Sequence, residues 1–265
     1  MPSPTPLPLL RLHYYEAAQA YLRSLPPEHF MEATPQATQR KITLESLDLV
    51  HARRPDVQVF NELLVQYPLP KHAKPGQVVP DNMVVLHEQA LDVEGSYDVP
   101  LQPVRPFWML EYVSKSSRRK DYEENRHKYE KELKVPYYLL FVPASEEMVL
   151  FRHNRRRYVT VVPNEQGRAA IAELDLELGL LGGWVRFWFR GELLPLPGDL
   201  LRQMDQLKRQ LAQAEQRASR AEQRATLAEQ HVNLAQREAE AERQARLALE
   251  AEVARLKAQL TQPRQ

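Results

Sequence analysis

The sequence predicts an α/β fold: a mixed, partly parallel sheet flanked by helices, continued by a long C-terminal helix that forms a coiled coil. Three observations predict it. The runs VVPDNMVVL (78–86), PFWMLEYVS (106–114) and PYYLLFVP (136–143) are apolar and strand-like. A charged helical stretch, SSRRKDYEENRHKYEKELKV (116–135), separates the second from the third, and strand, crossover helix, strand is the unit of a parallel pair. From about Asp199 to Leu260 proline and glycine disappear and apolar residues recur at heptad spacing.

The elements follow in order. Residues 1–9 are Pro-rich and read as a disordered or extended arm. Residues 11–25 form an amphipathic helix with Leu12, Tyr15, Ala18 and Leu22 on one face, stopped by Pro26-Pro27. A second helix covers 34–52, with Pro35 in its first turn and Leu44, Leu47 and Val50 as its stripe. Residues 57–67 read as a strand pair or one long bent strand, and 68–76, with three prolines and a glycine, as a loop. After the central unit, 148–153 and 157–162 form a hairpin whose tip carries Arg155, Arg156 and Arg157. Segments 174–181 and 184–189 pair across Gly182-Gly183. Trp184, Phe187, Trp188 and Phe189 read as core or interface, and 193–198 as the linker closing a domain of residues 10–197.

The tail occupies residues 199–260. With Met204 at heptad position a, the a and d positions are Leu, Val, Met or Ala almost throughout, broken by Arg246 and Glu242. Sustained over about eight heptads, this pattern predicts self-association through a coiled coil.

Composition narrows the function. The 265 residues, 43% hydrophobic, suffice for a sizeable core plus an appendage. A net charge of +1 gives no bulk attraction for polyanions, so any nucleic-acid contact has to come from local patches. The absence of cysteine excludes disulfide and thiol chemistry and fits a reducing cytoplasm, the expected location. No run of 18 apolar residues exists, and neither a membrane span nor a signal peptide is expected. His87, His127 and His153 lack metal-ligand spacing, and no glycine-rich phosphate loop occurs.

The chemistry resides in the central unit. Asp81 follows Pro80, and Glu111 stands at the end of an otherwise apolar strand. A carboxylate among buried strands is costly unless paired or bound to a metal. Two acids on neighbouring strands can share one hard divalent cation such as magnesium. The helix that follows carries Arg118, Arg119 and Lys120 where a phosphate would sit beside such a site, or else presents a solvated face laced with ion pairs. Arg155 and Arg156 on the hairpin tip are a second candidate nucleic-acid contact.

Pro80-Asp81, Glu111-Tyr112-Val113-Ser114, Asp121 with Tyr129 eight residues on, and Val135-Pro136-Tyr137-Tyr138 together resemble the Uma-two family. That family is an endonuclease branch of the PD-(D/E)XK, restriction-endonuclease-like superfamily. The likeness spans roughly residues 32–197. It implies a restriction-endonuclease-like core that hydrolyses DNA, with Asp81 and Glu111 as acids for Mg2+ or Mn2+. Glu32 matches a further acid of the family's cluster, although a charge near a helix N-terminus explains it equally well. The sequence departs from the family at its lysines. The position two residues after the second acid holds Val113, and the helical position four residues after Asp121 holds Asn125. Lys115, on the face of residues 111 and 113 if the strand extends that far, is the first substitute, and Lys128 the second. The departure leaves an alternative: an inactive nuclease-fold module that binds nucleic acid or protein on a coiled-coil scaffold.

Overall fold

The computed structural model describes residues 7–25, 34–70, 74–114 and 120–260. Two units divide the chain, residues 1–198 and 199–265.

The first unit opens with helices α1 (Leu7–Ser24) and α2 (Thr34–His51). Among the described residues thirteen strands follow: β1 (Val57–Asn61), β2 (Leu64–Tyr67), β3 (Gly76–Val78), β4 (Asn82–Leu86), β5 (Ser96–Asp98), β6 (Trp108–Tyr112), β7 (Tyr137–Val142), β8 (Glu147–His153), β9 (Tyr158–Thr160), β10 (Ala169–Ile171), β11 (Leu176–Leu181), β12 (Trp184–Phe189) and β13 (Glu192–Leu193). They form a six-stranded sheet ordered β1-β4-β6-β7-β8-β9, a four-stranded sheet β10-β11-β12-β13 and a three-stranded sheet β3-β2-β5. In the large sheet only β6 and β7 run parallel, joined by the helical crossover the sequence predicts.

The large sheet is apolar on both faces, which is why β6 and β7 read as continuous apolar runs. Trp108, Leu110, Tyr112, Leu139 and Phe141 face α2 and the four-stranded sheet. Met109, Val113, Tyr138 and Leu140 face the crossover helix and the three-stranded sheet. Gln66 Nε2 and Gln77 Nε2 of that small sheet donate to the Tyr14 and Ala17 carbonyls, seating α1 on it.

Several expectations need correction. The helix begins at Leu7, inside the stretch read as an extended arm; residues 1–6 lie outside the described residues. Its buried residues are Tyr14 and Ala18, while Leu12, Tyr15 and Leu22 are exposed, because a helix one and a half faces apolar does not reveal which side the sheet covers. VVPDNMVVL is not one strand: Pro80, which has no N–H to give a ladder, breaks it into β3 and β4 of different sheets. Residues 57–67 are likewise two strands in different sheets, and β5 carries no strand signal in the sequence.

The crossover is a wider helix than expected. Lys120–Asn125 and Lys128–Leu133 are π-helical, with i→i+5 bonding. Asp121, Asn125, Tyr129 and Leu133 are its buried residues, a strict period of four. On an α-helix that spacing drifts by about 40° per step, a drift the wider turns counter. Lys134, in the left-handed conformation, ends the segment.

The second unit is the helix α3 (Pro197–Leu260), 64 residues long. Its side chains from Leu200 onward are exposed wherever they are described. No helix among the described residues is long and apolar enough to cross a membrane.

Candidate active site

The site is set by the register of β4 against β6. Asn82 pairs with Leu110, so Asp81, one residue before β4, lies level with Glu111. The two acids make contact: the Asp81 N–H points at Glu111 Oε2, 3.4 Å away. The Tyr112 N–H donates to Asp81 Oδ2 at 2.6 Å, fixing the carboxylate at the strand end. Its other oxygen receives the Arg40 guanidinium of α2, with Nη2 3.0 Å from Oδ1. Arg40 also holds Glu62 through Nη1 at 2.8 Å, bridging α2 to the β1–β2 turn.

Glu111 is buried and is held from the crossover helix. Tyr129 OH donates to its Oε1 at 2.6 Å and Asn125 Nδ2 donates to the same oxygen at 2.9 Å. The Asn125 amide also donates to Asp121 Oδ1 at 3.2 Å, so one side chain links two buried carboxylates. Its orientation follows from chemistry: the reverse rotamer would set three acceptor oxygens together. Asn125 Oδ1 is consequently buried with no hydrogen-bond partner among the described residues, a deficit that costs about 1–3 kcal/mol unless a water or cation meets it.

Tyrosines complete the surroundings. Burial above all, and the negative charges of Glu111, Asp121 and Asp81, push the Tyr129 and Tyr138 hydroxyls well above the ordinary tyrosine range. Burial does the same for Tyr112, with Asp81 and Glu111 adding to it. All three remain neutral donors across the physiological range. Tyr138 OH donates to the Asp121 carbonyl, and Tyr112 OH donates to Asn82 Oδ1 and lies 2.7 Å from Thr43 Oγ1 of α2.

Of the sequence-predicted residues, Asp81 and Glu111 are brought together. Glu32, Lys115, Arg118 and Arg119 lie outside the described residues, and Lys120 opens the π-helical segment. Lys128 Nζ donates to the Gln77 carbonyl of β3 at 3.0 Å. Val113 is buried in the apolar layer with Tyr129, Tyr138 and Leu140, so a lysine there would have to be desolvated. Arg155 and Arg156 are not at the site. Glu111 is level with Leu140 and Val149, and the β8–β9 tip begins four residues further along β8, about 13 Å toward the opposite end of the sheet.

Sequence reading missed Arg40 and left Asp121 and Tyr129 without a role. Arg40 gives no local signal, since a lone arginine on an amphipathic helix reads as solvated. The period-four row of Asp121, Asn125, Tyr129 and Leu133 was available, and its polar first half faces the acids.

Among the described residues no third His, Cys, Asp or Glu joins the acid pair in a metal-holding group. Two carboxylates nonetheless suit magnesium or manganese, which are commonly held through one or two carboxylates while water and substrate phosphate complete the shell. The orphaned Asn125 oxygen is a further hard donor beside them.

A family model described as "Uma2: Putative restriction endonuclease" matches residues 29–181, which contain both acids, α2 and the crossover helix. A crystal structure described as a "putative nuclease belonging to DUF820" from Anabaena variabilis is 14% identical, covers 51% of this chain and 75% of its own, and superposes with a TM-score of 0.38. No curated protein matches the chain.

Proposed function

The chain belongs to the Uma2 family, and on that premise we propose that it hydrolyses phosphodiester bonds of DNA with Mg2+ or Mn2+ held by Asp81 and Glu111. One observation carries the reading: two acids on adjacent strands stand level, the Asp81 N–H directed at Glu111 Oε2, and each carboxylate is oriented by dedicated donors. The bound cation would supply a water of lowered pKa and neutralise phosphate charge. The protein's own residues do the rest. Tyr129 and Asn125 aim Glu111 from one side, and Arg40 and the Tyr112 amide aim Asp81 from the other. Arg40 holds positive charge beside the acids, and Lys115 and Glu32 are the further candidates to enter the site.

Plasmid nicking by the purified chain with Mn2+, together with Mn2+ binding followed by calorimetry, tests this. Asp81→Ala and Glu111→Ala are expected to lose both signals. Cleavage that persists in Asp81→Ala overturns the reading.

A second reading is favoured by Asn125, the neutral side chain standing where the resembled family places its helical lysine. On this reading the site binds nucleic acid without cutting it. Salt-sensitive binding without nicking, joined by nicking in Asn125→Lys, would select it. For α3 the proposed role is self-association, which would join copies of the domain.

A further inference from the structure

We infer that α3 pairs with α3 of a second copy of this chain as a parallel, in-register two-stranded coil. The inference rests on the self-association proposed above and adds its direction and alignment.

Among the described residues the seam is exposed. Met204, Leu207, Leu211, Val232, Leu249 and Val253, all at a or d, are between 45% and 69% exposed. Alanines hold most of the middle seam positions, which lets two helices approach closely.

Direction and alignment follow from the flanking charges, since e and g residues set partner choice and orientation. In a parallel coil a g residue faces the partner's e residue five positions later. In register, Arg217 faces the partner's Glu222, Arg224 faces the partner's Glu229, Glu238 faces the partner's Arg243, and Glu252 faces the partner's Lys257. Every facing pair with charge on both sides is attractive. The sign inverts midway, basic-then-acidic before Val232 and acidic-then-basic after it, and this inversion fixes the alignment. A slip of one heptad in either direction sets Glu against Glu, at Glu238 with the partner's Glu250 or at Glu252 with the same residue. A slip of two sets Arg224 against the partner's Arg243, or Glu238 against the partner's Glu229. The antiparallel arrangement that sets Leu211 level with the partner's Leu249 pairs Arg224 with the partner's Glu238 but also brings the two Glu229 side chains together, a repulsion the parallel register lacks. The seam arginine, Arg246, carries its own counter-charge: its Nε lies 3.1 Å from Glu250 Oε1 of the same helix.

The chain has no cysteine, so introduced thiols report the geometry of the full-length protein. Sedimentation equilibrium is expected to show a dimer. Ala218→Cys and Ala239→Cys, each at position a, are expected to cross-link to themselves under mild oxidation. A dimer in which neither variant cross-links overturns the parallel alignment while leaving self-association standing; a monomer at all concentrations overturns both. Arg217→Glu with Arg224→Glu makes four interchain contacts repulsive and should weaken the dimer by about tenfold or more. Adding Glu222→Arg and Glu229→Arg should restore it. A dissociation constant unmoved by the first pair of substitutions overturns the charge argument.

Discussion

Asn125 decides how the acids of this site are balanced. Its amide is the donor shared by Glu111 and Asp121, both buried. A lysine in its place would bring a full positive charge; asparagine offers two N–H groups and leaves its oxygen unmatched. Asn125→Asp keeps the shape and replaces the donor with a third carboxylate. The variant is expected to lose about 3–5 kcal/mol at pH 7, the scale of an uncompensated buried charge. Like charges and burial raise the carboxyl pKa values of the folded variant. Folding then takes up protons, so the deficit should shrink from pH 7 to pH 5. Mn2+ should recover stability more in this variant than in the parent if a cation enters between the acids. Melting curves at both pH values, with and without Mn2+, read each arm, and an equal deficit at pH 5 and pH 7 would contradict the proposed crowding of charge.

At the scale of elements, α2 positions Arg40, and Gln39 anchors α2. The Val185 N–H donates to Gln39 Oε1 at 2.9 Å, and Gln39 Nε2 donates back to the Val185 carbonyl at 3.0 Å. The side-chain amide thus takes the place of a neighbouring strand beside β12, whose β13 partner reaches only Trp188 and Phe189. Gln39→Leu leaves both backbone groups buried and unmatched, and a loss of about 2–4 kcal/mol is expected by chemical denaturation. Mn2+ affinity should fall along with stability as Arg40 loses its fixed backing. The sequence disclosed the elements whose signal is local. β6, β7, β11 and β12 are apolar runs bounded by turn residues, and the crossover lies between two of them. What it did not disclose depends on distant partners. The pairing of Arg40 with Asp81 spans 41 residues, and Gln39 reaches across 146. Neither leaves a mark in the spacing of apolar residues. The acids were readable because charge in an apolar run is conspicuous, whereas a buried glutamine or arginine on an amphipathic helix resembles its surface counterparts. The π-helical crossover escaped because its buried row, Asp121, Asn125, Tyr129 and Leu133, is half polar and leaves no apolar stripe in the sequence.

The whole molecule joins two units of opposite construction, and this difference gives a test. Every Trp, Tyr and Phe precedes residue 198, whereas α3 contains none. Near-ultraviolet circular dichroism therefore reports only the first unit, while the far-ultraviolet signal includes the 64 residues of α3. If α3 pairs between chains, its melting must depend on protein concentration, and the first unit's need not. The two wavelength ranges are thus expected to give non-coincident transitions, only the far-ultraviolet one shifting with concentration. Alkaline pH separates them further. Tyr112, Tyr129 and Tyr138 have folded pKa values above that of an exposed tyrosine, chiefly through burial. Their stabilisation is complete below about pH 10, where unfolded tyrosine begins to ionise, and it falls as pH rises further. Three such groups remove up to about 4 kcal/mol per pH unit, a large share of a typical domain's stability. Raising the pH from 8 to 10.5 should lower the near-ultraviolet midpoint steeply. The coil has no tyrosine, and arginine supplies most of its positive charge. Its concentration-dependent transition should hardly move. A single coincident transition, displaced as a whole at pH 10.5, would show instead that the two units unfold together.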